Sequence, residues 1–158
     1  MAGAHTWPRK GVIVSVISAA VASLALVLSA TLKGPGPFES ASRLVFSVPL
    51  VEFVRTAGDP GRDRRLDWRS DKCSAPLLGS AGKTYDFSDA CRRHDFAYRN
   101  LGRLEGGTRW NAALRRRVDE RFMKDMNDGC AARPKVQRSA CRAWARLYYT
   151  AVRSFAGP

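Results

Sequence analysis

The sequence predicts an all-α fold, a small helical domain built on an antiparallel helix pair, and three observations predict it. After residue 87 the apolar residues recur at helical spacing in three successive stretches. A short glycine-rich break, Gly102 to Gly107, separates the first two, so they must fold back on each other. Four cysteines (Cys73, Cys91, Cys130, Cys141) all lie beyond an apolar leader, and an even count in a small exported chain implies two disulfides.

The elements follow in chain order. Gly11 to Leu32 is a run of 22 residues without a charge, preceded by Arg9 and Lys10 and followed by Lys33. Such a run addresses a membrane. Residues 1–33 are therefore expected to be a secretory signal, which would make the rest a secreted protein, with a retained anchor through residues 11–32 as the alternative. Gly34-Pro35-Gly36-Pro37 reads as the joint behind the leader. Residues 34–66 are expected to be a linker with one or two short helices, broken by Pro49 and ended by the turn Gly58-Asp59-Pro60-Gly61. Residues 67–158 then form the main domain. It opens with an ordered loop, since Asp67 to Lys83 mixes Pro76, Gly79 and Gly82 with small residues.

The first long helix is predicted over Ser88 to Leu101, capped by Ser88 with Asp89 and stopped by Gly102. At about 100° per residue, Phe87, Ala90, Cys91, Ala97, Tyr98 and Leu101 fall within about 60° of His94. His94 thus faces the core, with Arg92, Asp95 and Arg99 on the flank. The second helix is predicted from a Thr108 cap to Asp128, with Leu114, Val118, Phe122 and Met126 as its apolar stripe. Asp119 falls inside that stripe and Asp125 beside it, so periodicity leaves two candidate partners for His94. A third helix, Ser139 to Phe155, puts Trp144, Leu147 and Tyr148 on one face and Arg142, Arg146 and Arg153 on another, read as a solvated face.

A buried carboxylate needs a partner, and a histidine beside one can take a proton from water, because the carboxylate fixes the tautomer and stabilises the imidazolium. Asp95 follows His94 directly, so its side chain points about 100° away and can hold a metal on the far side of that water. Hard oxygen ligands select calcium, and small-residue loops supply carbonyls for it. Asp71 and the Lys72 carbonyl are the candidates from the loop.

Three strings carry a family resemblance: Trp68-x-x-Asp71-x-Cys73, then Ala90-Cys91-Arg92-Arg93-His94-Asp95-Phe96-Ala97-Tyr98-Arg99-Asn100, then Asp119-x-x-Phe122-x-x-Asp125-Met126 ahead of Cys130. Together they resemble the prokaryotic and fungal secreted phospholipase A2 family, over roughly Trp68 to Phe155. The resemblance implies His94 and Asp119 as the catalytic dyad, so it selects Asp119 over Asp125. It further implies calcium held by Asp71, the Lys72 carbonyl and Asp95, and disulfides Cys73–Cys91 and Cys130–Cys141. The implied reaction is hydrolysis of the sn-2 ester of a glycerophospholipid, with a membrane or micelle surface as substrate and a monomer as the working form.

The rest of the sequence limits the alternatives. Residues 1–33 contribute three basic residues and no acidic one, so the remaining chain holds 24 Lys and Arg against 14 Asp and Glu, a net charge of +10. That charge draws a protein to anionic surfaces of any kind, so a non-catalytic basic protein binding membranes or nucleic acid is the rival. It would not need Asp71, His94, Asp95 and Asp119 together, and no nucleic-acid partner is expected. Zinc is disfavoured by cysteine intervals of 18, 39 and 11 and by the presence of only two histidines, one of them in the leader. A serine triad is disfavoured because no G-x-S-x-G string occurs.

Overall fold

A computed structural model describes residues 34–71, 73 and 85–155, and every regular element among these described residues is helical. The leader expected over residues 1–33 lies outside them. The described helices all belong to the unit that begins at Gly36, and none is long and apolar enough to cross a membrane.

Two short helices come first, α1 (Pro37–Phe46) and α2 (Leu50–Gly58). Pro37 opens α1, where its missing N–H is no loss, and Pro49 separates the two as its ring demands. Both pack over the core. Phe38, Ala41, Leu44, Val45 and Phe53 are buried in one cluster with Leu66, Phe96, Leu101 and Val118.

Helix α3 spans Ser88–Leu101, as the sequence predicts, but its ends are made differently. Ser88 is already helical, and its N–H donates to Asp86 Oδ1 at 2.9 Å, so Asp86 does the work expected of Ser88. Gly102 has φ −76° rather than a left-handed conformation. Glycine is required there by space, since an added Cβ would lie 2.5 Å from the Tyr98 carbonyl oxygen. The left-handed residues come later, in a 3₁₀ turn over Leu104–Gly107: Glu105, Gly106 and Gly107 have φ of 55°, 67° and 73°. Helix α4 (Ala112–Ala131) starts later than the expected Thr108 cap. Asn111 caps it, its side-chain oxygen accepting from the Leu114 N–H at 2.9 Å. Helix α5 (Lys135–Phe155) begins a turn earlier than expected, directly behind Pro134.

The side-chain pairs show the helices to be antiparallel. Arg93 meets Asp125, His94 meets Asp119 and Tyr98 meets Arg115, so partner numbers fall on α4 as they rise on α3. The Cys130–Cys141 disulfide and the Arg115–Arg153 contact align α4 with α5 in the same sense. The other disulfide is Cys73–Cys91, and the Cα separations of 5.4 and 5.6 Å are ordinary for such bonds.

Helix α3 is the centre of the domain. Its predicted face is buried except for the half-buried Tyr98, and so are Arg93, Phe96 and Asn100 on the reverse side, where α1 and α2 cover it. A second apolar cluster on the other side joins Phe87, Ala90 and Cys91 to Phe122, Met126, Cys141, Ala145 and Tyr148. Leu147, expected on the buried face of α5, is instead exposed.

Candidate active site

His94 lies on α3 where the two apolar clusters meet. Its ring is held between those of Tyr98 and Phe122, with centroids 4.6 and 4.7 Å away, and it keeps only 9% of its surface exposed. Ring Nε2 stands 2.9 Å from Asp119 Oδ1. Asp119 is completely buried. Burial alone would raise its pKa, but hydrogen bonds from His94, Arg153 and Tyr98 outweigh that and hold it below the ordinary carboxylate value. An ionised carboxylate only accepts, so Nε2 carries the proton and Nδ1 is left with the free lone pair.

The second candidate carboxylate, Asp125, is turned away from His94. It receives both Arg93 Nη2 and Arg93 Nε, the latter at 2.8 Å, and Arg121 Nε at 3.1 Å. The choice that periodicity left open is thus made by neighbours: Asp119 faces a titratable ring, Asp125 two permanent cations.

Asp119 has further partners that sequence reasoning missed. Tyr98 OH donates to Oδ1 at 2.8 Å and Arg153 Nη1 to Oδ2 at 2.8 Å, with Arg115 Nε 3.9 Å from the same oxygen. Arg115 was legible as an i, i+4 partner of Asp119. Arg153 was not. It sits roughly 140° round α5 from the buried Tyr148, and only the length of an arginine carries its head back into the site.

The loop ahead of α3 is anchored on both sides of its acidic residues. The Asn100 side chain accepts from the Asp67 N–H and donates to the Asp67 and Phe96 carbonyls, each at 2.8 Å. Trp68 packs on Phe96 with ring centroids 4.6 Å apart, and Cys73 is bonded to Cys91, one turn before His94. Between these anchors Ser70 Oγ donates to Asp95 Oδ2 at 2.6 Å, and the Asp71 carboxyl hydrogen-bonds the same group. Burial first, and then the nearby Asp71, push the Asp95 carboxyl up to about 6.

Two carboxylates crowded together are hard-oxygen donors of the kind that a divalent cation such as calcium takes. Lys72, the predicted carbonyl ligand, lies outside the described residues, as does most of the small-residue loop from Ser74 on. No group of three or more His, Cys, Asp or Glu able to hold a metal occurs among the described residues.

Comparison with known proteins shows the family. A sequence model of the family described as prokaryotic phospholipase A2 matches residues 41–156, so the match takes in the second part of α1 and all of α2 as well as the longer helices. A secretory phospholipase A2 of Beauveria bassiana (strain ARSEF 2860) is 36% identical over 115 residues, covering 73% of this chain and 56% of that protein. Another, of Arthroderma benhamiae (strain ATCC MYA-4681 / CBS 112371), is 35% identical over 116 residues, covering 70% and 73%. The chain spans little more than half the length of the first of these relatives.

Proposed function

The chain belongs to the prokaryotic phospholipase A2 family, and on that premise we propose that it hydrolyses the sn-2 acyl ester of glycerophospholipids in a calcium-dependent reaction. The observation that carries the reading is the 2.9 Å contact between His94 Nε2 and a carboxylate with no solvent exposure. A buried histidine held in one tautomer by a buried anion is a general base, and water is its partner, because neither a serine elbow nor a free cysteine stands among the described residues.

In this mechanism His94 takes a proton from water at Nδ1, while Asp119 keeps the ring oriented and stabilises the imidazolium. The Tyr98 and Phe122 rings flank the imidazole and limit competing solvent. Asp71, Asp95 and the Lys72 carbonyl would hold calcium, whose chemistry there is polarisation of the ester carbonyl and stabilisation of the developing oxyanion. His94 then returns its proton to the leaving glycerol oxygen, and no covalent enzyme intermediate forms.

The proposed substrate surface is a phospholipid membrane or micelle, met by a monomer. The proposed location is extracellular, with residues 1–33 as the leader. The uncharged run, the two disulfides and the secretory relatives support it. The deciding experiment measures sn-2 fatty acid released from mixed phospholipid vesicles with calcium and with chelator. Release with calcium and none with chelator is expected. Full release in chelator would overturn the calcium assignment, and no release under either condition would overturn the enzyme reading.

A further inference from the structure

The end of α5 reaches the buried carboxylate from the side opposite His94. Asp119 Oδ1 is fully engaged, by His94 Nε2–H at 2.9 Å and Tyr98 O–H at 2.8 Å. Oδ2 receives Arg153 Nη1 at 2.8 Å, its other polar neighbour being Arg115 at 3.9 Å, beyond hydrogen-bond range. In the intact protein Asp119 has no exposed surface, so Arg153 takes the place that solvent would otherwise fill at Oδ2. We propose that Arg153 is a positioning residue of the His94–Asp119 pair, holding the Asp119 carboxylate in the rotation that keeps Oδ1 on the imidazole.

Two observations separate this from an incidental surface ion pair, which is worth little. The first is the acceptor: the Arg153 side chain is 30% exposed, but its partner is the fully buried carboxylate that also holds the ring. The second is that the position of Arg153 is itself fixed from α4. Arg115 donates to the Val152 and Arg153 carbonyls at 3.4 and 3.0 Å, as well as to Tyr98 OH at 3.2 Å. Those carbonyls lie in the last turn of α5, which has few intrahelical donors left for them and favours a cation. A closed circuit results: Arg115 holds the backbone that carries Arg153, Arg153 holds one oxygen of Asp119, and Tyr98 joins the other oxygen to Arg115.

A carboxylate's terminal torsion is broad and two-fold, so without Arg153 its rotation is opposed at Oδ1 alone, by the His94 and Tyr98 bonds, and among the described residues no group at hydrogen-bond distance holds Oδ2. The residue touches no reacting atom. Its effect passes through Asp119 and reaches only the orientation of the base. This inference rests on the role proposed for the dyad, and one of its two readouts does not need turnover.

The experiment compares the wild-type protein with Arg153→Met and Arg153→Lys. Methionine keeps the apolar stem and removes the head, and lysine restores one charged donor. For Arg153→Met, kcat on phospholipid vesicles should fall by about 10- to 100-fold with KM within about twofold, the scale expected when a catalytic group is misplaced. The downfield proton resonance of the hydrogen-bonded His94 Nε2–H should broaden or vanish in the same variant. Arg153→Lys should recover most of both. A folded Arg153→Met protein with unchanged kcat and an intact imidazole resonance would overturn the proposal, and so would Arg153→Lys, folded, behaving no better than Arg153→Met. Absence of hydrolysis by the wild type would instead count against the enzyme reading, while the resonance would still report whether Arg153 holds the pair.

Discussion

Helix α4 buries two aspartates, six residues apart, in surroundings that ask opposite things of them. Asp119 meets an imidazole, a phenol and one arginine head, and the charge it carries can be shared with a proton that comes and goes on His94. Asp125 meets Arg93 and Arg121, which never give up their protons, and both guanidiniums also donate to the Val48 carbonyl, at 2.8 and 2.9 Å. One site can therefore change its charge state during a reaction and the other cannot. Burial of a carboxylate says that it has a partner; the identity of the partner says whether it does chemistry or holds helices together.

The comparison breaks most visibly by removing each charge without removing its shape. Asp119→Asn should cut turnover by about 10² to 10⁴ while the protein still folds, because an amide loses the negative charge and can hold the ring in the wrong tautomer. Vesicle hydrolysis with circular dichroism on the same sample checks it. Asp125→Asn should do the reverse. It strands the Arg93 guanidinium in the core, so stability should fall by about 3 to 5 kcal/mol by denaturant titration, with turnover per folded molecule near normal. If the two variants exchanged these phenotypes, the dyad would have to be redrawn around Asp125.

A second pair of carboxylates sharpens the contrast, since Asp71 and Asp95 hydrogen-bond each other. Calcium at 10 mM should stabilise the protein by about 1 to 3 kcal/mol, given binding on the scale of extracellular calcium modules, about 10⁻⁴ to 10⁻³ M. Thermal unfolding with and without the ion measures it, and Asp95→Asn should erase the difference.

The smallest effect concerns acid. The folded pKa of Asp119 is lowered from 3.8, so the stability it contributes is present above about pH 4 and lost as pH falls through the lower folded value. Melting curves between pH 5 and pH 2 should therefore be flatter at the acid end for Asp119→Asn than for wild type.

What the sequence made legible followed from local periodicity. Helix α3 was bounded to the residue, because a one-sided apolar pattern over 14 residues leaves little freedom. The caps were less legible: Asp86, Ser88, Thr108 and Asn111 are all good capping residues, and which one closes a helix depends on where the backbone turns. The turn falls at the glycine-rich break, and its left-handed conformation takes in Glu105 as well as Gly106 and Gly107. The enclosed state of α3 was hidden because its reverse face carries Arg93 and Asn100, polar residues that count as solvent-facing until their partners 32 to 45 residues away are known. Within the site, His94 and Asp95 were legible from a helical wheel, Asp119 as one of two candidates until the resemblance chose it, and Arg153 not at all.

The carbonyl of Val48, just past the end of α1, accepts from two arginines that start on different helices, Arg93 on α3 and Arg121 on α4. Apolar side chains would tolerate α1 sliding along that pair by a residue, trading one methyl contact for another. Two converging guanidiniums do not, because a slip of one residue, about 1.5 Å, moves the oxygen off both donors at once and leaves an N–H of each guanidinium without its acceptor. That single oxygen thus serves as an index mark for assembly. It allows the amino-terminal helices one seat on the helix pair, and it does so from a site that takes no part in the reaction.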